Sequence, residues 1–163
     1  MKSKPPIIIL LSVLLILILT SATPKLSYFE TGGKKFLLRS SILANESFGT
    51  NSKFEIDLLQ AKDAGVTVTG TYIYLSLASN SQTELGNGKY IFNEDVIHSK
   101  KPFVFSGVLS IDNKPVKIRG GSFAIVKKRK ILKMDFLFKL ENGESVKGYY
   151  EGTYQQTDRR KNN

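Results

Sequence analysis

The chain has 163 residues, 24 of them Lys or Arg and 14 Asp or Glu, for a formal net charge of +10 at pH 7. It has no cysteine, which excludes disulfides, cysteine metal sites and a lipid anchor on an N-terminal cysteine. With a single histidine, His98, it is also short of the usual zinc ligands, and no cofactor is expected.

The first 22 residues read as a secretory signal peptide. Lys2 and Lys4 precede an apolar run from Ile7 to Leu19, broken only by Ser12, and the small residues Thr20, Ser21 and Ala22 follow. A signal core needs about 7 to 15 apolar residues and a spanning helix roughly 20, so the run suits export better than a membrane span. Cleavage is expected after Ala22, because a cut one residue later would put Pro24 next to the scissile bond. Retained, the same leader would tether the protein to a membrane. Losing Lys2 and Lys4 leaves 22 basic against 14 acidic residues. Such a positive field suits an anionic glycan, a lipid headgroup or an acidic envelope protein, and export makes nucleic acid the least fitting partner. The expected location is periplasmic, extracellular or in the cell envelope.

The remaining chain reads as strands. Thr31-Gly32-Gly33 separates residues 26–30 from residues 34–42, an opening hairpin. Residues 53–59 follow, with Phe54, Ile56 and Leu58 inward and Glu55 and Asp57 outward. A helix there would offer a core only Ile56 and Leu59 in its first turn, so the strand is favoured. In residues 72–78 both faces are bulky, as expected for a strand covered on both sides. Thr67 to Thr71 reads as a turn or short edge strand. Residues 89–92, 103–111 and 116–119 continue the sheet, with a polar interruption at 93–102 and a turn at Asp112-Asn113-Lys114-Pro115.

The strongest pattern lies near the C-terminus. Leu132, Met134, Phe136, Phe138 and Leu140 alternate with Lys133, Asp135 and Lys139, the period of a sheet with one wet face. Asn142-Gly143 is expected to form a tight type I′ turn. Residues 122–128 before it and 146–154 after it complete a three-stranded antiparallel meander. The fold class is therefore all-β, an antiparallel β-sandwich or flattened β-barrel of about 8–10 strands. One domain spans residues 24–155, and the polar, basic residues 156–163 are expected to form a disordered tail.

Three stretches carry a resemblance: Tyr28-Phe29 with Gly33 and Phe36-Leu37-Leu38; Leu85-Gly86-Asn87-Gly88-Lys89-Tyr90-Ile91-Phe92; and Gly121-Ser122-Phe123-Ala124-Ile125-Val126 with Asn142-Gly143 and Val146-Lys147-Gly148-Tyr149-Tyr150-Glu151-Gly152. In that order the chain resembles small exported β proteins and lipoproteins of Bacteroidetes, sometimes described as calycin-like. The resemblance implies an envelope-associated antiparallel β domain and brings no catalytic residues.

Candidate sites follow from side-chain chemistry. Lys127, Lys128, Arg129 and Lys130 put four cations on one turn, a candidate anion-binding site; a solubilising hairpin tip that discourages edge pairing is the plainer reading. Tyr72, Tyr74, Phe136, Phe138 and Tyr150 could line the pocket of a carrier for a small apolar ligand, although such aromatics more often pack a core. Catalysis has weaker candidates. His98 lacks a nucleophile elbow, and Glu94-Asp95 and Glu141 with Glu144 have the placement of solvated charges. The expected role is a noncatalytic binding or structural one in the envelope, and an envelope hydrolase ranks last.

Overall fold

The computed structural model describes residues 25–62 and 70–160, and within them every regular element is a strand. The leader, most of the segment from Thr67 and the last three residues lie outside the described residues. The strands are β1 (Tyr28–Thr31), β2 (Lys34–Leu37), β3 (Ser40–Asn45), β4 (Lys53–Leu59), β5 (Tyr72–Ala78) and β6 (Gly88–Phe92). They continue as β7 (Val104–Ile111), β8 (Lys114–Lys128), β9 (Ile131–Leu140), β10 (Ser145–Thr153) and β11 (Gln155–Asp158). The alternation read at residues 132–140 is realised without a break: each even position of β9 is buried and each odd one exposed.

All eleven strands belong to one sheet, ordered β11-β3-β4-β5-β7-β6-β8-β9-β10-β1-β2, with β7 also pairing β8. The β8-β9-β10 meander forms as the pattern predicts. Two pairings, β6 with β7 and β11 with β3, are parallel, so the sheet is mixed where an antiparallel one was expected. Only Tyr154 separates β10 from β11, and this continuous stretch pairs with β1 at Gly148 and with β3 from Gln155 onward. The sheet is thereby folded over in a sandwich-like arrangement around one core.

Four local readings are corrected. Residues 34–42 are two strands, because Leu38 N donates to Ser27 O and Arg39 N donates to Leu59 O: the chain changes partners at that corner. Residues 114–128 are one long strand with a register shift between Ile118 and Gly120, which lets β8 pair with β7 early and β6 late. At Asn142-Gly143 only Gly143 has a positive φ, and Gly143 N donates to Leu140 O. The loop is thus a three-residue turn ending in a left-handed glycine; two consecutive positive φ values occur instead at Asp112-Asn113 and Gly32-Gly33. Finally, residues 156–158 of the expected tail are part of β11. Their side chains are largely exposed and carry no apolar period, so the backbone bonds to the edge of β3 leave no trace in the sequence.

The core is aromatic. Phe105 stands at its centre, with ring centroids 5.0 Å from Phe123 and 5.3 Å from Phe138, while Phe123 stacks on Tyr90 at 4.9 Å. Each such ring contributes roughly 1.5–3 kcal/mol by leaving water, and ring pairing adds up to about 1.5 kcal/mol. In a chain without cysteine, this burial takes the place of the stabilisation that disulfides supply to other small domains.

Candidate functional site

The four cations Lys127–Lys130 occupy the tip of the β8–β9 hairpin, the longest two strands of the sheet. Arg129 takes a positive φ of 55° in the two-residue turn between the paired Lys128 and Ile131. Two clamps hold the tip. The Asn87 side chain accepts from Lys127 N at 2.7 Å and donates to Lys127 O at 3.4 Å, and Tyr154 Oη donates to Arg129 O at 3.1 Å. Among the described residues, no carboxylate lies within 4.0 Å of any of the four cations. Lys127 and Lys128 point to opposite faces of the strand, so the charges surround the tip rather than converge on one face. Such a tip can donate to phosphate, sulfate or carboxylate oxygens approaching from several directions.

The five candidate pocket aromatics are not brought together. Phe136, Phe138 and Tyr150 are buried inside, where Phe136 stacks on Phe138 at 5.0 Å and Tyr150 Oη donates to Thr153 O at 2.8 Å. Tyr72 and Tyr74 are half-buried on the other face of β5, because Ile73, Leu75 and Leu77 take the inner one.

The carboxylates considered for catalysis are engaged in ion pairs and hydrogen bonds. Arg119 binds Glu141 at 2.9 Å and also Glu94, so the fold joins one member of each sequence pair on a single guanidinium. Asp95 contacts His98 Nδ1 at 2.8 Å, and Glu144 accepts from Thr31 Oγ1 at 3.1 Å. Hydrogen bonding by Arg119 holds the Glu141 carboxyl below its usual range, and His98 does the same to Asp95. A general acid needs a carboxyl shifted the other way. Among the described residues, no three His, Asp or Glu side chains are grouped to hold a metal ion.

One carboxyl shifted upward was not singled out from the sequence. Glu55 and Asp57 do point outward on β4, yet Asp57 is only 8% exposed. Burial, reinforced by the Glu55 charge, pushes its pKa up to about 6. Glu55 itself accepts from Tyr74 Oη at 2.6 Å and from Arg159 at 3.4 Å. The sequence signal is two acids two residues apart on the outward side of a strand, and nothing in it shows that Arg159 reaches Glu55 or that Asp57 is buried.

Fold and site together define an all-β domain, one folded-over mixed sheet bearing a clamped cationic hairpin. Compared with known proteins, the chain matches no family model, no curated protein and no solved structure.

Proposed function

We propose that the protein is an exported, noncatalytic β domain of the cell envelope that binds an anionic partner through Lys127, Lys128, Arg129 and Lys130. The observation that carries this reading is a tip fixed from two sides whose cations have no carboxylate neighbour among the described residues. A tip serving solubility alone has no need of backbone clamps; a recognition tip gains affinity from them, because less motion is lost on binding. The signal-like leader and the resemblance to exported envelope proteins support the location. The interior carrier is less supported, since an enclosed ligand would need the space that Phe105, Phe123 and Phe138 fill with their rings.

Retention on a sulfated polysaccharide matrix tests the proposal. A variant with Lys127, Lys128, Arg129 and Lys130 replaced by Gln should elute at clearly lower salt than one with Lys34, Lys62, Lys89 and Lys114 replaced by Gln. Both lose the same formal charge. Equal elution of the two variants would reduce the tip to a share of the bulk charge and remove the proposal.

A further inference from the structure

A cleft of about 630 Å³ lies between two loops, residues 46–52 joining β3 to β4 and residues 93–103 joining β6 to β7, with the end of β5 as its floor. Its volume falls within the roughly 300–1,000 Å³ of small-molecule sites. It shares no residue with the basic hairpin. The walls carry two of the largest exposed apolar side chains of the molecule, Phe48 at 50% exposure on one loop and Ile97 at 59% on the other.

Both loops are braced. Phe48 and Asn51 exchange backbone hydrogen bonds of 3.1 and 2.9 Å, and Gln82 Nε2 donates to Gly49 O at 2.7 Å. Across the cleft, Asn93 Oδ1 accepts from Asp95 N at 3.1 Å, and Asp95 Oδ1 accepts from His98 N at 3.3 Å. Val96 is buried beside Ile97 and anchors the turn. At the base of this loop Phe103 holds a positive φ of 59°, which strains an aromatic residue, while its N donates to Ala78 O at 2.8 Å. The two apolar side chains are therefore held outward by fixed turns.

The charge at the cleft is positive. Glu46 is engaged by Arg159 at 3.3 Å and Lys53 by Glu55 at 3.5 Å, so these charges are matched. Lys100 and Lys101 line the same cleft, and among the described residues no carboxylate lies within 4.0 Å of either. The floor strand β5 is hydrogen-bonded on one side to β4 and on the other to β7, leaving no free edge for a peptide backbone. The occupant is therefore recognised by contacts with the lining residues and by charge, not by addition of a strand to the sheet.

We propose that this cleft binds a phosphorylated alkyl chain, with the chain between Phe48 and Ile97 and the phosphate monoester on Lys100 and Lys101. Two lysines consecutive in the chain, both lining the cleft, carry a combined charge that matches the −1.5 to −2 of a phosphate monoester near pH 7, about twice that of a carboxylate. The site lies outside the packed interior and is independent of the hairpin reading.

Calorimetric titration with dodecyl phosphate below its micellar concentration tests the proposal, alongside inorganic phosphate and dodecyltrimethylammonium as controls. One site per chain is expected for dodecyl phosphate, with each control at least tenfold weaker. The pair Phe48→Ser and Ile97→Ser, and separately the pair Lys100→Gln and Lys101→Gln, should each weaken binding at least tenfold with the circular dichroism spectrum unchanged. Replacing Lys34, Lys62, Lys89 and Lys114, none of which lines the cleft, by Gln should leave it intact. Equal binding of the cationic amphiphile, or unchanged binding in both paired variants, would overturn the site. So would flotation with phosphatidic acid vesicles in the absence of monomer binding, which would indicate a bilayer surface rather than a single chain as the ligand.

Discussion

Asn87 reads the backbone of Lys127 with both atoms of its amide, Oδ1 accepting from the N–H at 2.7 Å and Nδ2 donating to the carbonyl at 3.4 Å. The side chain thus acts as a further rung of the β6–β8 ladder, which ends at Gly88 paired with Ile125. Replacing Asn87 by Ala removes both bonds, at a cost of about 1 kcal/mol for an exposed pair. Amide exchange at Lys127 should accelerate while exchange at Phe123 stays slow, and retention on the sulfated matrix should weaken although no charge has changed. An unchanged exchange rate at Lys127 would mean that the hairpin is held by its own ladder alone.

Gly121 and Gly143 both have positive φ, yet they should respond differently to alanine. A Cβ on Gly121 would sit 2.1 Å from Leu137 O and 2.8 Å from Phe138 Cα, and backbone cannot yield as a side chain can. Gly143 has nothing within 4 Å of that position. Gly143→Ala should cost about 1–2 kcal/mol for the left-handed backbone alone, and Gly121→Ala roughly 3 kcal/mol or more. Urea unfolding of the two variants measures the difference, and comparable losses would argue against the tight β8–β9 approach at the bend.

Asp57 makes stability depend on pH in an unusual direction. Its pKa is raised from 3.8 to about 6 on folding, so the folded state holds the proton more tightly than the unfolded state. Stability therefore falls as pH rises from about 4 to about 6, by up to about 3 kcal/mol, and the loss persists above that window. Asp95, Glu141 and Asp158 have lowered pKa values and act oppositely, losing their contribution only as pH drops through more acidic values. Asp57→Asn should be more stable than the parent at pH 8, nearly equal at pH 4, and flat between pH 4 and 6. Thermal melts across that range decide it, and a variant that keeps the parent's slope would assign the effect elsewhere.

β11 should matter more than its polar sequence suggests. Ending the chain after Tyr154 removes the parallel pairing with β3 and the Arg159 contacts to Glu46 and Glu55. Several backbone bonds of about 0.5–1.5 kcal/mol each are offset in part by chain entropy, leaving a loss of about 1–3 kcal/mol. The shorter protein should also self-associate, because the freed edge of β3 can pair with another chain; light scattering that shows a stable monomer would contradict this.

The binding candidates were legible to different degrees. Lys127 to Lys130 stand out as a charge run, but nothing in the chain links them to Asn87, 40 residues away, or shows that no carboxylate of the described residues lies beside them. The cleft was not legible at all. Phe48 and Ile97 are 49 residues apart in the chain, and only the strand order β3-β4-β5-β7-β6 brings their loops to one cleft. Glu55 and Asp57 point outward as expected, yet Asp57 is buried and Glu55 meets Arg159, so an outward position on a strand is not by itself a solvated one.

What the sequence determined by itself is what local physics decides: strand over helix, the inward set of β9, the β8-β9-β10 meander and the position of most turns. These follow from a two-residue period and from turn chemistry, both written in neighbouring residues. Tertiary structure alone decided the parallel pairings of β6 with β7 and β11 with β3, the fold-over at Tyr154, and which charges are neutralised. Parallel pairing joins segments remote in sequence through backbone groups that every residue carries, and an ion pair depends on a distance across the fold. Neither imposes a period on the chain.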